Sequence, residues 1–301
     1  MRRLVWFAIV ASGFGWGTLG IGNRALLNRG VPTFTITAYR GLIATAALVG
    51  WLMLTRRPLP KSARVWATAA VMAVGNMIVP FVALVTAVDN ASAGYVSLIV
   101  SLITLSTALW SHALLDDEPL SGPKVAGMLL AVAGVAVLVL SGDSGLVAGG
   151  RPLVATGFAL TAVFTIGYAR MYARLHASTY DADAITAAQF LIGTAVLFPV
   201  AWTVDGFGSV PTGLDWAVLG YVGLVCTVLP FFLMFWLSQR ASATQTALSN
   251  YLVPVFGVIG GAIVLGEQLQ VGLLVAGPLI VGGVVIVDAL EHRRRTRRTT
   301  A

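Results

Sequence analysis

The sequence predicts an all-α polytopic membrane protein whose ten transmembrane helices form two inverted five-helix repeats. Three observations lead to this fold class. The composition is too apolar for a protein surface in water, uncharged runs long enough to cross a bilayer recur along the whole chain, and the chain resembles itself at a spacing of about 150 residues.

The composition identifies lipid as the natural solvent of this chain. Of its 301 residues 57% are hydrophobic and only 10% are charged, and the mean hydropathy is +0.88. An average soluble domain carries about 25% charged residues, so this chain lacks the polar side chains that a water-exposed surface needs. A soluble enzyme, a disordered chain and a nucleic-acid binder are therefore excluded, although Lys and Arg outnumber Asp and Glu by 19 to 12. The single cysteine, Cys226, excludes a disulfide framework.

Ten runs of the sequence meet the length of about 20 mostly apolar residues that a helix needs to cross the hydrocarbon core. They cover residues 4–23, 32–54, 65–88, 90–115, 125–142, 152–169, 184–204, 216–239, 241–266 and 268–287, and a charge, Arg40, interrupts the second. The gaps between these runs are too short for a soluble domain. The first run follows two arginines and has the form of a signal peptide, but its length favours an uncleaved first helix.

The distribution of Lys and Arg predicts the orientation of the helices, because cytoplasmic loops are enriched in these residues. With a cytoplasmic N-terminus, fifteen of the 19 basic residues fall in inner segments, Arg170 among them, three fall in outer segments and Arg40 lies within a span. Both termini are therefore predicted to be cytoplasmic, in a multi-pass protein of the cytoplasmic membrane.

The two halves of the sequence carry the same short motifs in the same order. The pairs are Pro80-Phe81 with Pro230-Phe231, Ala91-Ser92-Ala93 with Ala241-Ser242-Ala243, Glu118 with Glu267, and Gly134-Val135 with Gly283-Val284. Five helices per copy place the second copy upside down in the membrane. The expected units are the repeats 1–145 and 146–292 and a basic cytoplasmic tail, 293–301, beside anionic lipid. Inverted repeats are typical of secondary transporters, whose substrate site lies near the midplane between the repeats.

A set of ordered motifs carries a family resemblance. The motifs are Gly15-Trp16-Gly17, Ala38-Tyr39-Arg40, Pro80-Phe81, Pro254, Gly266-Glu267 and Gly283-Val284. Together with the ten helices and the repeat, they make nearly the whole chain similar to an EamA-type member of the drug/metabolite transporter superfamily. The resemblance implies transport, often export, of small metabolites or amino acids, without naming a substrate. The sequence departs from the family pattern at Thr104, where the first repeat usually carries Pro, and at the acidic run 116–118.

Arg40 is the most informative candidate for a binding residue. At a rise of 1.5 Å per residue it lies about 10 Å below the outer end of the second helix. A charge at that depth usually faces the bundle interior or a water-filled cavity. Arg40 either binds or gates an anionic group such as a carboxylate, or is a structural arginine that snorkels. Gln189 occupies the matching position of the second repeat and either faces the same cavity or forms a helix–helix hydrogen bond.

The other candidate substrate-binding residues are polar or aromatic side chains inside the predicted spans. They are Trp16, Asn76, Tyr95, Ser101, Tyr168, Trp236, Gln245 and Asn250. A polar group on a membrane helix must face protein or water, and an aromatic ring in a cavity could stack on a substrate. Small hydroxyls can instead bond to a carbonyl of their own helix, and aromatic rings can instead lie in an interfacial belt.

Acidic residues are expected only at helix ends. Glu118 and Glu267 are either interfacial carboxylates held by a neighbouring helix N-terminus or carriers of a coupled proton. Because the runs 4–23, 65–88, 90–115 and 241–266 contain no acid, a proton switch at the midplane is not expected. The sequence also lacks a phosphate-binding P-loop, a zinc-binding His-Glu-x-x-His helix and a nucleophile elbow, so neither a cofactor nor a metal is expected.

The sequence therefore predicts a secondary transporter, not an enzyme, that exports small organic metabolites such as amino acids. The expected mode is facilitated diffusion, or coupling away from the midplane, of a neutral, zwitterionic or anionic molecule. The alternatives are a non-transporting scaffold or sensor and a membrane enzyme acting on a lipid. The expected partners are the substrate and the lipid bilayer and not nucleic acid, and the chain could act as a monomer or a homodimer.

Overall fold

A computed structural model describes residues 2–115, 121–146, 149–176, 180–206, 211–241 and 243–299. Within these residues ten helices follow one another through short turns, and four of them are built from consecutive segments. The helices are α1 (Arg2–Gly17, then Leu19–Asn28), α2 (Thr33–Leu54), α3 (Ala63–Ala73, Val74–Ile78 and Val79–Asn90), α4 (Ala93–Val100, then Ile103–Leu114), α5 (Gly122–Leu140), α6 (Pro152–His176), α7 (Ala182–Asp205), α8 (Leu214–Gly220, Tyr221–Val228 and Leu229–Arg240), α9 (Ala243–Leu265) and α10 (Val271–Thr299).

The helix lengths and hydropathy confirm the predicted fold class. Among the described residues nine helices are long and apolar enough to cross a membrane, and α10 adds a shorter apolar stretch, Val271–Val287. Large apolar side chains point outward on several of them, with Leu54 and Leu140 each 83% exposed. Such a surface suits hydrocarbon and not water, so the protein is an all-α polytopic membrane protein.

Several helices extend beyond the uncharged runs that mark them in the sequence, and two of them continue through an arginine that ends or follows the run. The first helix continues through Arg24 to Asn28, and α6 continues past Ala169 to His176. A single arginine does not end a helix, because its backbone still forms the i to i−4 hydrogen bond and its long side chain can reach a polar environment. Arg170 is therefore a helical residue and does not lie in a loop, which corrects its placement from the charge pattern.

The same backbone irregularity occurs in both halves of the chain. A π-helical turn, Val74–Ile78, interrupts α3 just before Pro80, and a second, Tyr221–Val228, interrupts α8 just before Pro230. Proline has no N–H and its ring clashes with the carbonyl four residues earlier, and the wider π turn accommodates both constraints. The turns lie near the middle of their helices, and π turns are frequent at functional sites.

Equivalent residues of the two repeats meet along α2 and α7. The hydroxyls of Thr45 and Thr194 are 2.8 Å apart. At one end of this pair the backbone N–H and the hydroxyl of Thr35 donate to Asp205, at 2.7 and 2.9 Å, and at the other Arg57 forms an ion pair with Asp183 at 2.7 Å. These contacts fix α2 against α7, so the side chains of α2 project from a fixed support.

The α5–α10 pair forms a second contact between the repeats. A Cβ atom added to Gly283 would lie 2.3 Å from the carbonyl oxygen of Gly127, so only glycine permits this approach of the two backbones. Small residues at such crossings are a common way to pack membrane helices.

The two ends of the bundle differ in how α4 meets α9. We call the end near Asn28, Asn90 and Glu267 the outer end and the opposite end the inner end, following the orientation predicted from charge. The α9 helix packs closely along Ala93–Val100, the outer half of α4, and makes at most marginal contact with Ile103–Leu114, its inner half. In the part of the chain that the structure describes, these helices are therefore closed against each other at the outer end and not at the inner end.

Candidate functional site

A cavity of about 100 Å³ lies in the middle of the bundle, between helices of both repeats. Its wall includes residues of α1, α2, α3, α4, α6, α8 and α9. It coincides with the π turn of α3, which contains Asn76, and with the break between the two segments of α4, which contains Ser101. Broken helices near the midplane are where transporters form their substrate sites.

Arg40 reaches this cavity from α2 and is almost completely buried, with 3% of its surface exposed. Its Nε donates to Thr227 Oγ1 at 2.9 Å, and that hydroxyl donates in turn to the Val222 carbonyl at 2.8 Å. The guanidinium carbon lies 3.6 Å from the centre of the Phe81 ring. These contacts fix the plane of the guanidinium.

One nitrogen of that guanidinium is left without a hydrogen bond. Arg40 Nη1 is buried and has no partner among the described residues. A buried charged donor without a partner is costly, so Arg40, which lines the cavity, retains hydrogen-bonding capacity that the described residues do not satisfy. A carboxylate fits this donor well, because arginine and carboxylate form paired, charge-assisted hydrogen bonds.

A second cation, Arg170, enters the same cavity from α6. The charged side chains that line the described cavity wall are thus both positive. Asn76 and Asn250 add amide groups from α3 and α9. Sequence reasoning misses Arg170 because the charge pattern assigns it to a cytoplasmic segment; its position four residues after Ile166, another cavity residue, is the helical spacing that could have indicated it.

Aromatic rings from both repeats form the apolar side of the cavity. Phe81 and Phe231, which are equivalent in the repeat, both line it, and each packs edge-on against Phe190, with centroid distances of 6.2 and 5.8 Å. The ring of Trp16, also in the wall, packs against Phe231 at 6.3 Å. The cavity therefore joins two cationic groups to a rigid aromatic surface suited to a small organic molecule.

Half of the residues that the sequence singles out meet at this cavity. They are Trp16, Arg40, Asn76, Ser101 and Asn250. The remaining five, Tyr95, Tyr168, Gln189, Trp236 and Gln245, do not line it.

Other contacts occupy three of those five, and a fourth is buried elsewhere. The Tyr95 hydroxyl is 2.6 Å from Thr156 Oγ1, and the ring of Tyr168 packs against Trp110 at 5.1 Å. The guanidinium of Arg240 lies over the Trp236 ring at 5.0 Å. Gln189 is buried, and its Oε1 has no hydrogen-bond partner among the described residues.

A narrower space continues from the cavity toward the outer end. This space, about 30 Å³ in volume, shares Trp16 and Leu19 with the central cavity and reaches Ala93 at the start of α4. It includes Asn23, whose buried amide has no hydrogen-bond partner among the described residues. We call it the outer passage.

Glu267 closes the bundle beyond the outer passage. Its two carboxylate oxygens accept the backbone N–H groups of Ala93 and Gly94, at 2.7 and 3.3 Å, so it caps the N-terminus of α4. Burial raises the pKa of Glu267 above its ordinary value, and the two N–H donors oppose that shift. The contact is that of an interfacial carboxylate held by a helix N-terminus. Its predicted counterpart, Glu118, lies outside the described residues.

Comparison with known proteins identifies the family. The sequence matches the EamA-like transporter family over residues 3–140 and again over 154–288. An uncharacterized transporter of Archaeoglobus fulgidus is 27% identical over 267 residues, which cover 86% of this chain and 89% of that protein. A probable terminal-alkyne amino-acid exporter of Streptantibioticus cattleyicolor is 23% identical over 209 residues, which cover 69% and 68%.

A solved crystal structure shares the fold. It superposes with a TM-score of 0.65 at 21% identity, covering 96% of this chain and 99% of its own. The two family matches coincide with the two five-helix halves, and the names of the relatives indicate transporters. The chain therefore belongs to the EamA-like transporter family.

Proposed function

We propose that this transporter exports small organic metabolites that carry a carboxylate, such as amino acids, across the cytoplasmic membrane. The observation that carries the proposal is Arg40, whose guanidinium is buried in the central cavity with Nη1 free of any described partner. An anionic group in the cavity would satisfy this donor and offset the cost of burying the charge. The relative named as an amino-acid exporter fits the same substrate class.

The proposed binding residues are those that line the cavity. Arg40 binds the carboxylate, Asn76, Ser101 and Asn250 supply polar contacts, and Trp16 packs against the apolar part of the substrate. The other sequence candidates take supporting roles in helix packing, as the hydrogen bond between Tyr95 and Thr156 illustrates.

The proposed direction rests on the relative named as an exporter, and the closed outer end is consistent with it. Glu267 and the contact between α9 and the outer half of α4 close the outer end, whereas the inner halves of α4 and α9 lie apart. This arrangement supports loading from the inner side. We place both termini in the cytoplasm, take 1–145 and 146–292 as the two units that move against each other, and assign 293–301 to the cytoplasmic surface.

Counterflow in proteoliposomes tests the substrate class. Vesicles that contain the purified protein are loaded with an unlabelled amino acid, nucleobase or cationic dye, and uptake of the same labelled compound is measured. We expect counterflow of carboxylate-bearing compounds, and none of cationic dyes, because the charges lining the described cavity wall repel a cation. Counterflow of the dyes without that of the amino acids would contradict the proposal.

A further inference from the structure

A second cation in the central cavity indicates a second acidic group on the substrate. Arg170 lies on α6, in the second repeat, and lines the same cavity as Arg40 of the first repeat. From the start of α6 the helical rise places Arg170 about 27 Å toward the inner end, whereas Arg40 lies about 10 Å from the outer start of α2. The two guanidinium groups thus enter the cavity from opposite halves of the membrane.

Among the described residues, neither cation has a counter-charge. The described residues contain ion pairs for Arg24, Arg29 and Arg57, but none for Arg40 or Arg170. The described residues that line the cavity are apolar, amide, hydroxyl or arginine side chains. A substrate with one carboxylate would satisfy one guanidinium and leave the other unpaired in a site of low polarity, which is costly.

We propose that the substrate is a small organic acid with two carboxylates, one bound by Arg40 and the other by Arg170. This rests on the proposed function, since it takes the central cavity as the substrate site. The two arginines are not equivalent in the repeat, because Gln189 occupies the position that matches Arg40 and lies outside the cavity. Residues at unrelated positions of the two repeats therefore supply the two charges.

Two pairs of compounds of nearly equal size measure the contribution of the second carboxylate to binding and transport. Glutamate and glutamine differ by one charge at nearly equal size, and succinate and succinamate differ in the same way without an ammonium group. Counterflow in proteoliposomes and direct binding to the detergent-purified protein, read from calorimetry, are measured for each. We expect the wild type to favour the dicarboxylate of each pair by about tenfold or more, the range of a charge-assisted hydrogen bond.

Variants of α6 then assign that preference to one residue. Arg170→Gln is expected to bring the ratio within each pair to about 1, and Arg170→Lys to restore part of it, because lysine keeps the charge and loses the paired geometry. Arg174→Gln is the matched control, since Arg174 lies one turn further along the same helix, is exposed and does not line the cavity. It is expected to keep the wild-type ratio.

The outcomes separate this inference from the proposed function. A wild-type ratio near 1, or an unchanged ratio in Arg170→Gln, would overturn the two-carboxylate substrate while leaving monocarboxylate export intact. Failure of the wild type to bind or move any carboxylate in either pair or in the amino-acid panel would overturn both. If Arg170→Gln does not fold, the wild-type ratio and that of Arg170→Lys still decide the question.

Discussion

The central cavity and the outer end of the bundle both place charged groups among helices, but they satisfy them in opposite ways. At the outer end Glu267 accepts two backbone N–H groups, and Arg24 donates to the carbonyls of Val88 and Asp89 at 3.0 Å each. In the cavity, Arg40 keeps one nitrogen without a partner and Arg170 has no ion pair among the described residues. The charged groups that join helices have hydrogen-bond partners within the protein. The charged groups in the cavity are held in position but keep hydrogen-bonding capacity for a ligand.

Removing the guanidinium of Arg40, which keeps one nitrogen without a described partner, should have the largest effect on transport. Arg40→Gln deletes the donors that face the substrate, and the loss of a hydrogen bond between charged groups costs about 1.5–3 kcal/mol, or roughly 10- to 150-fold. We expect counterflow of a carboxylate substrate to fall by this factor. Initial rates in proteoliposomes with equal amounts of folded protein, checked by size-exclusion chromatography, measure it.

Thr227→Ala serves as the graded control for that loss. It removes the hydroxyl that accepts from Arg40 Nε and leaves the guanidinium present, so we expect a smaller reduction. Wild-type counterflow in Arg40→Gln would mean that this guanidinium has only a structural role.

A substitution at the closed outer end should lower the stability of the protein without changing substrate binding. A Cβ atom at Gly257 of α9 would lie 2.3 Å from Ser97 Oγ of α4, and overpacking of this kind typically costs about 1–3 kcal/mol. Gly257→Ala is therefore expected to lower the thermal unfolding temperature in detergent. Gly157→Ala on α6 is the matched control, because its added Cβ would meet no described atom within 4 Å apart from its own helix backbone, and it should be neutral or stabilising. Equal unfolding temperatures would show that α4 and α9 are not in close contact at this point.

The sequence predicts structural features that are encoded in neighbouring residues better than contacts between residues that lie far apart in the chain. Hydropathy indicates the ten helices, and the paired Pro80-Phe81 and Pro230-Phe231 motifs indicate the repeat, because each is encoded in neighbouring residues. Arg170 escapes prediction because a charge at the edge of an apolar run has the same pattern whether it ends the helix or faces a cavity. The contact between Tyr95 and Thr156 also escapes prediction, because Thr156 lies on another helix and no local pattern predicts that contact.

Two amides that the sequence ranks alike are separated by the structure. Asn250 lines the cavity and Gln245 does not, although both are partly buried on α9. Asn250→Ala should therefore reduce counterflow by about threefold to tenfold, the range of a single neutral hydrogen bond, and Gln245→Ala should leave it near the wild-type rate. Initial rates of the two variants, measured side by side, test the boundary of the site. An equal loss in both would place the substrate further toward the inner end of α9.

The smallest expected effect is a pH dependence of the outer closure. Burial raises the pKa of Glu267 in the closed form, and separation of α4 from α9 would return that carboxyl to water and to its ordinary pKa. The closed form therefore binds the proton more tightly, so acid should favour closure and rising pH should favour opening, up to the raised pKa. The probe is Asn23→Cys in the outer passage, in a Cys226→Ser background, labelled from outside with a membrane-impermeant thiol reagent. Labelling is measured relative to the same labelled variant carrying Glu267→Gln, which corrects for the reactivity of the thiol itself. This ratio should fall as the pH decreases through the raised pKa of Glu267 toward its ordinary value. A ratio that is constant with pH, or that rises in acid, would show that titration of Glu267 does not favour closure.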